Sequence, residues 1–212
     1  MIIEIGKFTR SLSDIIKAFF YHYRTFGLTK AEHSSHATNA EIAYFERLGE
    51  MLNFSTEREA RTPSSHRPAD LVWVGKYEGN YYAPEQLVLH LERETRGWEK
   101  VGETLEKLFE GPSGEIIPMG IAIIDNVPQV KVKKIIEDFK NNFYSEKGRK
   151  KYSEFALLIY DREINEETKP KSKTITTNIF RLDSKEPEPI EAKFEYVGTC
   201  DGDEADFVII SY

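Results

Sequence analysis

Between residues 70 and 94 the chain sets three carboxylates on two short alternating stretches: Asp70 near the start of "ADLVWV", and Glu92 and Glu94 at the end of "LVLHLERE". Successive side chains of a strand face opposite ways. Glu92 and Glu94 therefore share one face, Arg93 takes the other, and Asp70 shares a face with Val72 and Val74. If the two stretches pair as a hairpin, Asp70 falls near the end of its partner, close to both glutamates. Carboxylates crowded together repel and hold their protons more tightly unless something positive sits between them. A hard divalent cation does this: Mg²⁺ is typically held by one or two carboxylates, with waters and substrate phosphate oxygens completing its octahedron. The spacing thus predicts a site for a hard divalent cation such as Mg²⁺.

The stretch from Lys30 to Leu52 supplies a fourth acid. Ile42, Phe45, Leu48, Gly49 and Leu52 form one helical stripe, and stepping about 100° per residue puts Glu41 near its centre, with Glu46 at the edge and Glu50 off it. A carboxylate facing inward needs a partner, and Glu41 is a candidate third metal ligand beside Asp70 and Glu92. Just before Asp70, Arg58, Arg61, His66 and Arg67 cluster and suit phosphate contacts. Other chemistries find less support. No two of His33, His36, His66 and His90 have the His-x-x-x-His spacing of a helical zinc site. Ser64 and Ser65 lack the Gly-x-Ser-x-Gly elbow of a serine hydrolase, and no Gly-rich phosphate loop points to a nucleotide cofactor.

The elements that must position these groups can be read from periodicity. Helices are expected over residues 11–25, behind a Ser cap, over 30–52, over 97–110 with Trp98, Val101, Leu105 and Leu108 packed across a sheet, and over 130–150. Strands are expected over 55–61, 69–74, 86–94, 115–124 and 154–162. The order α-α-β-β-β-α-β-α-β predicts an α/β protein with a mixed central sheet flanked by helices, over residues 1–162. Beyond it, residues 163–212 hold three β-rich segments, "TITTNIFRL", "IEAKFEYVG" and "ADFVIISY", which either extend the sheet or form a small appendage.

A chain of 212 residues with 40% hydrophobic and 31% charged residues suits one sizeable core rather than a disordered segment. A single cysteine, Cys200, allows no internal disulfide and no cysteine metal cluster; with no apolar signal core at the start, the expected compartment is the cytoplasm. The longest apolar runs fall far short of the roughly 18 residues of a membrane span, so no membrane partner is expected. Thirty-six acidic against 29 basic residues, a net charge of -7, argues against non-specific coating of nucleic acid but leaves room for local basic patches.

The arrangement of a helix, a Pro-Ala-Asp strand, a Glu-x-Glu strand, a helix and a strand resembles the restriction-endonuclease-like, or PD-(D/E)XK, nuclease superfamily. The likeness covers about residues 30–162. It rests on Pro68, Ala69 and Asp70 for the first motif, Glu92 for the first carboxylate of the second, and Glu41 for the helix acid often found at the metal. The resemblance implies a restriction-endonuclease-like core, a Mg²⁺-dependent endonuclease acting on DNA, and Asp70, Glu92 and Glu94 as its catalytic residues. Where the family usually has Lys, this chain has Glu94. Some members with Glu there are active, so the change moves the handling of the attacking water to Glu94 or to a cation from elsewhere. Arg93 points away, whereas Arg96 or Lys100 follows closely. Arg58, Arg61, Arg67 and Arg96 are the expected DNA contacts, and a homodimer would present two sites to two strands. The alternatives are a catalytically inactive nuclease-fold protein that binds nucleic acid or serves assembly, and a structural α/β domain with a solvated acidic cluster.

Overall fold

The computed structural model describes residues 3–5, 8–23, 34–61, 68–75, 87–94, 98–109, 116–163, 172–197 and 206–209. A short hairpin of β1 (Ile3–Ile5) and β2 (Phe8–Arg10) precedes α1 (Leu12–His22). Ser11 starts that helix with a capping box: its hydroxyl accepts from the Asp14 amide while the Asp14 carboxylate accepts from the Ser11 amide. Helix α2 (Ser34–Met51) leads into the antiparallel run β3 (Ser55–Ala60), β4 (Ala69–Val74) and β5 (Leu87–Glu94). After a 3-10 turn over Trp98–Lys100 come α3 (Val101–Phe109), β6 (Ile117–Ile124), α4 (Gln129–Tyr144), the single turn α5 (Glu146–Arg149) and β7 (Tyr152–Glu163).

Among the described residues the sheet has eight strands. Parallel pairing joins β5 to β6 and β6 to β7, and antiparallel pairing adds β8 (Ser172–Arg181), β9 (Glu188–Val197) and β10 (Asp206–Ile209) beyond β7. The fold is the α/β arrangement expected, a mixed central sheet flanked by helices, and the C-terminal strands continue that sheet edge to edge.

Two apolar layers enclose the sheet. On one face, Phe19, Phe20 and Tyr23 of α1 and Tyr44 and Phe45 of α2 pack on Leu71, Trp73, Leu89, Leu91, Ile121, Ile123 and Leu158. On the other, Val101, Leu108 and Phe109 of α3 and Ile135, Phe139 and Phe143 of α4 pack on Val72, Ala122, Ile124, Leu157 and Ile159. Strands β6 and β7 are apolar on both sides because helices cover both, the condition under which parallel strands read as continuous hydrophobic runs. Edge strand β3 carries the exposed charges Glu57, Arg58 and Glu59 instead, which discourages edge-to-edge pairing with another chain.

Two sequence expectations need correction. The helix expected over 130–150 breaks at Ser145, whose hydroxyl donates back to the Asn142 carbonyl of α4 and accepts from the Gly148 amide to start α5. Trp98 is not part of the apolar layer that packs α3 on the sheet: it is 36% exposed, with Lys131 Nζ 4.8 Å from its ring centroid. Val101 and Leu108 hold that helix down without it.

Candidate active site

The site lies at the carboxyl end of β5, on the face covered by α3. Because Leu71 pairs with Leu91 in antiparallel register, Asp70 and Glu92 come next to each other, one residue further towards that end. Asp70 Oδ2 accepts a 2.6 Å bond from the Arg93 backbone amide, which fixes the β4 carboxylate to the end of β5. Glu92 is 1% exposed, and both of its oxygens are occupied. Lys107 Nζ of α3 donates to Oε2 at 2.9 Å, and His90 Nε2 lies 3.0 Å from Oε1. A carboxylate only accepts, so Nε2 carries a hydrogen; Nδ1 lies 2.8 Å from the Tyr152 hydroxyl, which also donates to the Leu108 carbonyl at 3.2 Å. Gly120 pairs with His90 and makes room for this chain of bonds, since a Cβ there would come within 2.4 Å of Phe155 and 2.9 Å of Tyr152.

Charge follows the geometry. Burial and the neighbouring Glu92 charge push the Asp70 carboxyl up to about 6; the Arg93 amide opposes the rise and Glu59 adds to it. Burial disfavours the Lys107 ammonium, but Glu92 outweighs it and, with Asp70 and Glu94 adding, holds that lysine above its ordinary value. Burial draws Lys151, a second cation that feels Glu92, down to about 8. Three carboxylates and one helix lysine thus share a patch in which the acids repel and the cation partly compensates.

Asp70 has a consequence for stability. A carboxyl with a pKa of about 6 in the folded chain and about 3.9 unfolded binds a proton on folding between those values. Its contribution is fully present below pH ~4 and is lost as pH rises through about 6, an amount of about 3 kcal/mol. Asp70→Asn, which keeps an acceptor for the Arg93 amide, should therefore be more stable than wild type at pH 8 in metal-free buffer. The difference should vanish towards pH 4. Urea unfolding across that range checks this, and a variant less stable at pH 8 would refute the assigned strain.

Glu41 is elsewhere. It lies on the opposite face, fully buried, with Oε2 accepting a 2.5 Å bond from Arg93 Nε; Asp125 Oδ2 takes the same guanidinium at 3.3 Å, and the Tyr160 ring lies 5.9 Å below it. The inward direction read from the helix stripe is correct, but the partner is Arg93, whose alternation from Glu92 sends it to the α2 side. The expected three-ligand set of Glu41, Asp70 and Glu92 does not form. Among the described residues no three acidic, histidine or cysteine side chains are grouped to hold a metal. The pair Asp70 and Glu92 still matches the one or two carboxylates that Mg²⁺ takes when water and phosphate complete its shell.

Of the expected DNA contacts, Arg58 pairs with Leu71 in register, lies on the α2 side, and is bonded through two nitrogens to Glu46, the closer at 2.6 Å. Arg61 is exposed just after β3. Arg67 and Arg96 lie outside the described residues. Sequence reading missed Lys107, whose only signal was a basic residue one helical turn short of the end of the helix after the Glu-x-Glu strand. It also missed Glu59, which carries a φ of 51° in mid-strand beside Asp70, a conformation unusual for a non-glycine residue.

No protein-family model matches the chain, and no curated protein matches it. Among solved structures, the central domain of yeast acetyl-CoA carboxylase is similar at a TM-score of 0.42 and 10% identity, over 81% of this chain and 26% of that one. At that score the likeness bears on neither fold nor function. Among the described residues no helix is long and apolar enough to cross a membrane.

Proposed function

We propose that the chain is a metal-dependent nuclease hydrolysing DNA phosphodiester bonds, a variant of the restriction-endonuclease-like family in which a lysine from α3 replaces the one missing from the strand motif. The observation that carries this reading is the placement of Lys107 Nζ 2.9 Å from Glu92, beside Asp70, at the position where the Glu-x-Glu strand ends. Asp70 and Glu92 would hold Mg²⁺ or Mn²⁺. When bound, the cation neutralises the scissile phosphate and acidifies water. Glu94, on the same face as Glu92, takes the proton of the attacking water. Lys107 offsets charge on the pentavalent phosphate, and the His90–Tyr152 pair keeps the Glu92 carboxylate oriented.

One observation favours a second reading, a nuclease-fold protein that binds nucleic acid without cutting it: Glu92 is almost inaccessible, and each oxygen already has a partner. For a cation to reach it, Lys107 must swing aside, which its partial exposure permits. Calorimetric titration with Mn²⁺, run beside cleavage assays on duplex, branched and single-stranded DNA and on RNA, separates the two. The nuclease reading expects binding that Asp70→Asn weakens and cleavage that needs the cation. A protein that neither takes up Mn²⁺ nor cuts any of these substrates belongs to the second.

A further inference from the structure

We infer that Trp98, with Lys131 and Lys134, forms a platform that stacks an unpaired base, so that the strand engaged beside the carboxylates is single-stranded or frayed. The inference takes its ligand class from the nuclease reading but is tested by binding alone. Three observations converge. Trp98 is a large aromatic left 36% exposed, while the other tryptophan, Trp73, is fully buried and donates its indole hydrogen to the Phe45 carbonyl. Lys131 sits over the Trp98 ring at 4.8 Å, and Lys134, one turn along α4, is exposed beside the 85% exposed Val130. The first turn of α4 carries no acidic residue, and Pro128 at its cap makes no side-chain bond, so the helix start adds positive potential to the two ammonium groups.

Position ties the patch to the site. Trp98 follows Glu94 by four residues, which limits their backbone separation to roughly 14 Å, and α4 begins just past the carboxyl end of the neighbouring parallel strand β6. A strand lying against Asp70 and Glu92 would reach the indole within a few nucleotides. The charge selects the partner. Lysines are depleted in protein–protein interface cores, whereas an aromatic plane beside cations is the recurring device for single strands, whose bases offer their faces. A closed duplex hides those faces. The positive strip also stands out in a chain of net charge -7.

The test uses the full chain in EDTA, titrated with oligothymidylate while tryptophan fluorescence is followed; Trp73 is buried, so quenching reports on Trp98. The expected result is quenching with saturable binding; read by the anisotropy of end-labelled oligothymidylate, which needs no tryptophan signal, affinity should be at least ~5-fold weaker for Trp98→Leu, the loss expected for one stacked base, and largely kept in Trp98→Phe. The double change Lys131→Gln and Lys134→Gln should reduce the salt slope of log K by about 1.4, two phosphate contacts to a single strand. A blunt duplex should neither quench nor compete. The inference is overturned by absent quenching, by unchanged affinity in Trp98→Leu, by equal binding of the blunt duplex, or by equal quenching with polyglutamate, which would mark an acidic protein partner. Binding without Mn²⁺-dependent cleavage would remove the nuclease reading and keep the platform. Cleavage indifferent to Trp98 would do the reverse.

Discussion

Replacing Arg93 with alanine should lower the unfolding free energy by about 3 to 5 kcal/mol, the cost of breaking a buried ion pair and leaving its partners charged in the interior. The guanidinium is fully buried between Glu41 at 2.5 Å and Asp125 at 3.3 Å, both themselves buried. Burial works against its charge, and the two acids more than restore it. Glu41 is not fully satisfied even so, because its Oε1 is buried with no hydrogen-bond partner. Removing the arginine leaves two carboxylates with no counter-charge. Lysine is no substitute, since one ammonium cannot span both acids as the planar fork does. Replacing the pair together, Arg93→Met with Glu41→Leu, should recover part of the loss, because a buried pair is often worth little more than apolar residues of its size. Urea denaturation measures all three. An unchanged midpoint for Arg93→Ala would show that the cluster relaxes to admit water. The same residue reaches the other face through its backbone, whose amide holds Asp70, so a loosened β5 end should also weaken the Mn²⁺ binding proposed for that carboxylate.

Alternation and helical spacing exposed most of the architecture because both are properties of single segments. Leu87, Leu89 and Leu91 against His90 and Glu92 announced a strand with one acidic edge, and Ser11 announced the start of α1 through a cap that needs only Asp14. The pairing of Asp70 with Glu92 was legible although it needs two strands, since the pattern of each strand and one antiparallel register fix it. What failed to show was what depends on how a helix or a second layer packs on the sheet. Glu41 was correctly turned inward, but nothing local says whether an inward carboxylate meets a cation from solvent or an arginine from the next layer, and Arg93 had been assigned only a direction. Lys107 belongs to α3, and its reach to Glu92 depends on how that helix crosses β5. Trp98 has the spacing of a core residue, yet it stands in the turn before α3 and is partly exposed.

Under the proposed nuclease function, Glu94, as the group taking the proton of the attacking water, gives the largest functional contrast. Glu94→Gln should leave folding and DNA affinity nearly intact while lowering cation-dependent cleavage by at least ~10²-fold, the lower end for loss of a general base. Lys107→Met should act differently. It removes the cation beside Glu92, Asp70 and Glu94, so the three acids repel more strongly and the apo protein loses stability, while the site gains negative charge and takes Mn²⁺ more readily. If Lys107 only neutralises Glu92 in the resting state, the variant should bind Mn²⁺ more tightly and cut as fast as wild type. If it also stabilises the developing phosphate charge, cleavage should fall by about 10²-fold although the metal binds better, because stabilisation lost from the transition state is not regained by a fuller site. The placement of the lysine against the strand motif predicts the second outcome. Single-turnover cleavage at saturating Mn²⁺, set beside calorimetric Mn²⁺ affinity for the same variant, distinguishes a resting counter-ion from a catalytic group.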